Sequence, residues 1–370
     1  VTPVVQSIIT IVIFFAMLGA LVVIHELGHF VTARLAGVRV LEFGIGFPPR
    51  ARVLRSKGET LYTLNWLPVG GFVRLEGEDG DSDDARSFVR ARLPIKLVIL
   101  VSGVAMNVVL AFLIFLAISA LANPTWNLTV SEVKPASPAA TAGLVAGDQV
   151  QTLDGQAFDG FKDPSLALRA KAGQTVVLGV QRADGSHQMI SAALRRAEDV
   201  TPTNGALGIA FGSTIVYAQN PPDAAIGLAA SRTGEALTII WDGLRKLADS
   251  IVNRPTEAPP VTGPIGIASQ VGDVFWKLGP VFTLYFAGIL SANLAVVNIL
   301  PFPPLDGGRV AILLYKSATD LVRRIFGLPA RDERVSLRVE RLTYVIGFAC
   351  LMAFLVWISF FDITAPGRGQ

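Results

Sequence analysis

The sequence predicts an α-helical polytopic membrane protein with four transmembrane helices, an inserted extracytoplasmic α+β domain and a membrane-associated β-hairpin region. Three observations predict it. Hydrophobic residues make up 51% of the 370 positions, charged ones 16%, and mean hydropathy is +0.52, values foreign to a soluble globular domain. Four stretches, 1–25, 97–122, 278–305 and 342–361, contain no Asp, Glu, Lys or Arg, and each can supply the roughly 20 helical residues that cross a hydrocarbon core. Between about Trp126 and Phe211 the hydropathy falls to soluble values.

Taken in chain order, residues 1–37 hold the first span. It lacks the basic start and small-residue cleavage pattern of a signal peptide and is expected to stay in the mature protein. Residues 38–94 switch to short β-like runs such as Tyr62-Thr63-Leu64-Asn65-Trp66, separated by Gly44, Gly46, Pro48-Pro49, Lys57-Gly58 and Gly70-Gly71; these read as hairpins at the membrane face. The acidic stretch Glu76 to Asp84 reads as a solvated loop. The second span is 95–122. Residues 126–214 form the α+β domain, with strands at Leu128 to Val133 and Thr175 to Val180 around a helical stretch at Leu166 to Ala172. Residues 215–277 are a linker whose Ala224 to Val252 segment has the spacing of an amphipathic helix on the outer membrane face or against the α+β domain. Pro255 and Pro259-Pro260 end it, and Gly263-Pro264-Ile265-Gly266 leads to the third span, 278–308. A loop at 309–341 and the fourth span at 342–361 complete the chain.

Basic residues near the spans set the orientation. Arg34, Arg39, Arg50, Arg52, Arg55, Lys57, Arg90, Arg92 and Lys96 mark the first loop as cytoplasmic. Arg309, Lys316, Arg323, Arg324, Arg331, Arg334, Arg338 and Arg341 do the same for the last. Both termini and the inserted domain are then extracytoplasmic. The net charge of +3 comes without a dense basic run interleaved with aromatics, which argues against a nucleic-acid partner. Cys350 is the single cysteine, so no intrachain disulfide is available.

The chemistry concentrates at His25-Glu26-Leu27-Gly28-His29. A helix puts histidines at i and i+4 on one face, one turn apart, able to share a tetrahedral Zn2+. Glu26 lies between them, placed to take a proton from water beside the ion. These groups stand at the inner end of a span, where an ionisable side chain costs roughly 2.5–3.5 kcal/mol, so each is expected to have a partner. A catalytic zinc takes three protein ligands and keeps one position open. Asp306 is the first charge after the third span, which runs in the same direction as the first, and so reaches the same depth; a plain helix-end cap is its other role. Pro301, Pro303 and Pro304 break the helix just before it, and non-helical backbone is tolerated there if it lines a wet cavity. His187, the remaining histidine, follows an Asp184-Gly185 turn and reads as a surface residue.

Ser137-Pro138-Ala139-Ala140-Thr141-Ala142-Gly143-Leu144-Val145-Ala146-Gly147-Asp148-Gln149-Val150, followed by Asp154-Gly155, resembles the signature of bacterial PDZ domains, which bind an extended peptide at a sheet edge. Leu207-Gly208-Ile209 is the candidate loop for a terminal carboxylate, with an ordinary strand as the alternative. HELGH at 25–29 together with Asn298-Ile299-Leu300-Pro301-Phe302-Pro303-Pro304-Leu305-Asp306-Gly307-Gly308 resembles the site-2 protease family of intramembrane zinc metalloproteases, in its bacterial regulator-of-sigma-E-protease-like branch. The resemblance implies that His25, His29 and Asp306 bind zinc, that Glu26 is the base, and that Asn298 positions substrate or stabilises the oxyanion. It also implies that the Phe43-Gly44-Ile45-Gly46-Phe47 segment, through Gly44 and Gly46, belongs to a membrane-dipping hairpin that holds substrate extended. Implied partners are the lipid bilayer of the bacterial inner membrane, single-span substrates such as anti-sigma factors and remnant signal peptides, and an upstream site-1 protease that cuts first. Two features depart from the pattern. Ser102-Gly103-Val104-Ala105-Met106-Asn107 stands where the family usually has a Gly-Pro pair, and a single PDZ-like domain is visible. Two other classes compete: a membrane adaptor using the PDZ-like domain with an idle metal site, and a zinc transporter, which would string its ligands across the membrane.

Overall fold

A computed structural model describes residues 2–364 apart from 57, 79, 81, 202, 255, 256 and 330–332, with the side chains of 68, 69 and 333–337 also left out. The signals at Lys57, Pro255 and Arg331 and the Arg334 side chain lie outside the described residues. The chain divides into two compact units, residues 1–116 with 227–370, and residues 117–226.

The first unit opens with α1 (Pro3–Leu35), whose Pro3 sits where a helix has no use for an amide hydrogen. Next come β1 (Val40–Arg55) and β2 (Leu61–Leu75), then α2 (Leu93–Leu121). The two strands pair antiparallel, as the hairpin reading expects. Each is folded over, so that Glu42, Phe43 and Gly44 pair on one side with Arg74, Val73 and Phe72 and on the other with Leu61, Tyr62 and Thr63. The second half of β1 pairs beyond that, Arg50 with Asn65 and Val53 with Thr63. The punctuation marks bends inside strands: Gly46 takes φ +79°, a conformation that costs other L-residues. Ala33, Val38, Val40, Leu75 and Ile99 form the core that joins the sheet to α1 and α2.

In the loop after β2, Glu76, Glu78 and Asp84 are held by local hydrogen bonds. Glu76 accepts from the Ser82 hydroxyl at 2.7 Å, Asp84 accepts from Arg39 at 3.0 Å and from the Arg86 amide at 2.8 Å, and Glu78 accepts from the Leu75 amide at 3.1 Å. Carboxylates that accept local amides stabilise turns, and here they fix the exit of the sheet.

The second unit is a six-stranded sheet with short helices: β3 (Asn123–Val133), α3 (Pro138–Thr141), β4 (Gln149–Leu153), β5 (Gln156–Asp159), α4 (Pro164–Ala170), β6 (Thr175–Gln181), β7 (His187–Ala193) and β8 (Ile209–Ala218). The strand order is β7-β6-β4-β5-β3-β8. Ser137 caps α3 through the Ala140 amide and Asp163 caps α4 through the Ser165 amide. Val176, Leu178 and Val180 alternate inward along β6 and meet Leu128, Val130 and Val150 in one core, the period-two burial that a strand imposes.

The first unit resumes with α5 (Pro222–Asn253), α6 (Pro264–Leu278), α7 (Pro280–Asn298), α8 (Asp306–Ile325) and α9 (Glu333–Thr364). The third apolar stretch, placed at 278–308, is helical over Pro280–Asn298; as expected, Pro301, Pro303 and Pro304 keep the run up to Asp306 out of a helix, because proline donates no amide hydrogen and its ring clashes with the carbonyl four residues earlier. The stretch 309–341, expected as a loop, is helical through most of its described length. Among the described residues, four helices are long and apolar enough to cross a membrane, Pro3–Leu35, Leu93–Leu121, Pro280–Asn298 and Arg338–Thr364. Ala229 and Ala236 of α5 pack with Ala111 and Phe115 of α2 and Ala292 of α7. At the far end of α9, the Asp362 carboxylate accepts from the Gly263 and Gly266 amides at 3.1 and 2.9 Å, a cap on α6 supplied by another helix.

Leu178 is fully buried, and truncation there should destabilise the sheet unit. Leu178→Ala is expected to remove about 2–5 kcal/mol, read as faster amide exchange in β4 and β6 of the full chain, while exchange in α1 and α2 stays unchanged.

Candidate metal centre

α1 delivers His25 and His29 buried at its inner face, one turn apart. The prolines before α8 bring Asp306 to the same place. His25 Nε2 lies 2.9 Å and His29 Nε2 3.3 Å from Asp306 Oδ2, and the two Nε2 atoms are 3.2 Å apart. One ligand atom from each residue falls within 4.8 Å of the others.

The surroundings fit a metal with two imidazole nitrogens and one carboxylate oxygen. His29 Nδ1 is 2.8 Å from the Ile99 carbonyl, which can only accept, so Nδ1 carries the hydrogen and Nε2 turns its lone pair to the centre. His25 Nδ1 stands 3.1 Å from the Asn107 side-chain nitrogen, while the Asn107 Oδ1 is buried with no hydrogen-bond partner. Exchanging oxygen and nitrogen of that amide, which have the same shape, lets Oδ1 accept from His25 Nδ1–H. His25 then has the same tautomer as His29, and the orphan oxygen is satisfied. The Asn107 carbonyl in turn accepts from the buried Ser291 hydroxyl at 2.8 Å, linking α2 to α7.

Close helix approach makes room for this cluster. A Cβ at Gly28 would stand 2.5 Å from the Ser102 carbonyl oxygen, and one at Gly103 would stand 2.4 Å from His29 Nε2 and 2.7 Å from His25 Nε2. Any side chain at Gly103 would occupy the space that the imidazoles face.

Glu26, Asn298 and Asp306 share with His25 a cavity of about 170 Å³, lined also by Val22, Leu294, Pro304 and Leu305. Gly44 and Gly46 do not line it. The Phe72 ring lies 2.3 Å from where a Gly44 Cβ would be, and a Cβ at Gly46 would stand 2.4 Å from the Leu67 carbonyl. The same sheet approaches the site at Gly71, whose added Cβ would be 3.6 Å from Glu26 Cγ. In the second unit, Leu207 is buried, its carbonyl accepts from the Ala139 amide, the Gly208 carbonyl accepts from the Lys134 amide, and Ile209 pairs with Val133. His187 is exposed at the start of β7. Gly103, Asn107 and Ser291 were not among the residues expected at the site. Asn107 carried a signal, a polar side chain in a charge-free span, where an unpartnered polar group is expensive.

The sequence matches peptidase family M50 over residues 13–354. A protein of Clostridium perfringens whose name calls it a zinc metalloprotease is 32% identical over 359 residues, covering 96% of this chain and 99% of the relative. Zinc metalloprotease RasP of Geobacillus kaustophilus is 25% identical over 445 residues, covering 97% and 99%. A protein of Arabidopsis thaliana named as a chloroplastic membrane metalloprotease is 30% identical over 316 residues, covering 82% and 70%. The chain belongs to peptidase family M50, the site-2 protease family. It is a membrane zinc metalloprotease.

Proposed function

We propose that His25, His29 and Asp306 hold the zinc ion and that Glu26 is the general base of a peptide-bond hydrolysis carried out at the membrane. The convergence of His25, Glu26 and Asp306 on one small cavity, with His29 Nε2 3.2 Å from His25 Nε2 and 3.3 Å from Asp306 Oδ2, carries this reading. Zinc, when bound, supplies Lewis acidity toward the scissile carbonyl and lowers the pKa of water. Glu26 takes the proton from the attacking water as its oxygen bonds to the carbonyl carbon, and returns it to the amine nitrogen as the C–N bond breaks. Asn298, on the wall of the same cavity, donates from its side-chain amide to the carbonyl oxygen as charge develops there.

A helical substrate hides its carbonyls in hydrogen bonds, so it must be drawn out as a strand. The β1–β2 sheet, bordering α1 at Gly71 beside Glu26, is suited to hold it by backbone pairing. Gly44 and Gly46 serve this role through the shape of the sheet, one by admitting the Phe72 ring and the other by its left-handed backbone. We assign the sheet unit to the PDZ class, with Leu207-Gly208-Ile209 as its carboxylate loop and substrate filtering as its task. Its partners are single-span proteins of the bacterial inner membrane, anti-sigma factors and remnant signal peptides among them, already shortened outside by a site-1 protease in regulated intramembrane proteolysis. The active site faces the cytoplasm, and both termini and the PDZ-class unit lie outside, as the basic loops require.

Cleavage of a tagged single-span substrate by the purified protein tests the base. Glu26→Gln is expected to slow it by about 10²–10⁴-fold with zinc content unchanged; cutting at the wild-type rate would remove Glu26 from the role. Gly103→Ala is expected to strip zinc from the folded protein, measured as metal bound per chain, because the added methyl collides with both imidazoles. Full zinc occupancy in that variant would contradict the ligand assignment.

A further inference from the structure

α8 carries its polarity the wrong way round for a helix packed on a protein. Leu314, Ala318, Leu321, Val322 and Ile325 recur at the i, i+4, i+7, i+8, i+11 spacing of one helical stripe. That stripe faces outward: Leu314 is 46% exposed, Leu321 59%, Val322 49% and Ile325 69%, and Phe326 just beyond is 72% exposed. On the opposite side two cations are held by the protein, while Asp320 stays exposed. Arg309 pairs with Glu78 after β2 and Lys316 with Glu340 of α9, and their side chains are only 39% and 28% exposed. Arg323 donates to the Pro329 carbonyl at 2.7 Å.

We propose that α8 is an in-plane membrane helix whose apolar stripe docks on the lipid bilayer. Three observations choose lipid as the occupant. α8 joins two consecutive membrane-crossing helices, α7 and α9, and must therefore lie at one membrane face. α9, tied to α8 through Lys316 and Glu340, is itself apolar and exposed at Leu342, Val345 and Ile346, which are 60%, 65% and 54% exposed. Arg323 and Arg324 close its last turn and complement anionic headgroups, the pattern of helices that settle at the headgroup boundary. Its 20 residues reach about 30 Å along the surface. Because the helix begins at Asp306, lipid docking also fixes the depth of that carboxylate.

The test uses the full chain with Cys350→Ser, carrying Leu321→Cys, Ile325→Cys or Asp320→Cys labelled with an environment-sensitive fluorophore. Each is reconstituted at low density into vesicles of phosphatidylcholine and phosphatidylglycerol. Nitroxides on the acyl chains are expected to quench the 321 and 325 labels several-fold more than the 320 label, with aqueous iodide giving the reverse order. Should Leu321→Cys disturb folding, judged by bound zinc, the more exposed position 325 reports alone. Equal iodide quenching at all three sites would overturn the proposal. So would protection from both quenchers that disappears on dilution into more lipid, which would mean that a second copy covers the stripe. Vesicles without phosphatidylglycerol should weaken the lipid quenching; unchanged quenching would remove the anionic headgroup from the assignment.

Discussion

Two helices that nearly touch set the conditions for the rest of this molecule. At Gly28 and Gly103, α1 and α2 approach so closely that neither position has space for a methyl group. The contact leaves the His25 and His29 rings resting on bare backbone, with their Nε2 atoms aimed at one point. A larger residue at either glycine would part the helices or fill the space in front of the rings. The third helix of the cluster, α7, is drawn in through the Ser291 hydroxyl on the Asn107 carbonyl, so one asparagine serves a ring on α1 and a hydroxyl on α7.

The energetic problem is the placing of two imidazoles and two carboxylates beside apolar helices, where unpartnered polar groups are expensive. The chain meets it by leaving few of them alone. Ile99 supplies a carbonyl to one ring and Asn107 an amide to the other, and Asp306 stands between both Nε2 atoms. Asp306 can reach them because the chain is not helical between Asn298 and Leu305. Continuous helix would have carried the aspartate past the site; the proline-rich run stops the rise and turns the chain into α8. Arg309, one turn beyond Asp306, is held by Glu78, which also accepts from the Leu75 amide at the end of β2. Asp306 and the sheet are thus tied through one carboxylate.

Much of this was legible before any coordinates. Charge-free length marks a candidate membrane span whatever its neighbours do, so the four helices long and apolar enough to cross could be read directly. The His25, Glu26 and His29 cluster is a local pattern in one helix, and Asp306 stood out as the first charge after an apolar stretch broken by prolines. What stayed hidden depends on partners distant in sequence. The folding-over of β1 and β2 is a matter of which half pairs with which, and Gly46 reads the same as a turn or as a bend within a strand. The run of Glu76, Glu78 and Asp84 does not itself reveal that Ser82, Arg309 and Arg39 are their partners. α8 is hard to see in the sequence because its charges obscure the helical spacing of Leu314, Leu321 and Ile325. Asn107 could have been picked out by its cost, but not its partner, since the ring it serves lies on another helix.

The assignment of zinc to His25, His29 and Asp306 can be checked by zinc K-edge X-ray absorption on the purified protein. Two imidazole nitrogens at about 2.0–2.1 Å and carboxylate or water oxygen, without sulfur, are expected around the ion. A sulfur scatterer at about 2.3 Å, or a shell with fewer than two imidazoles, would contradict the assignment.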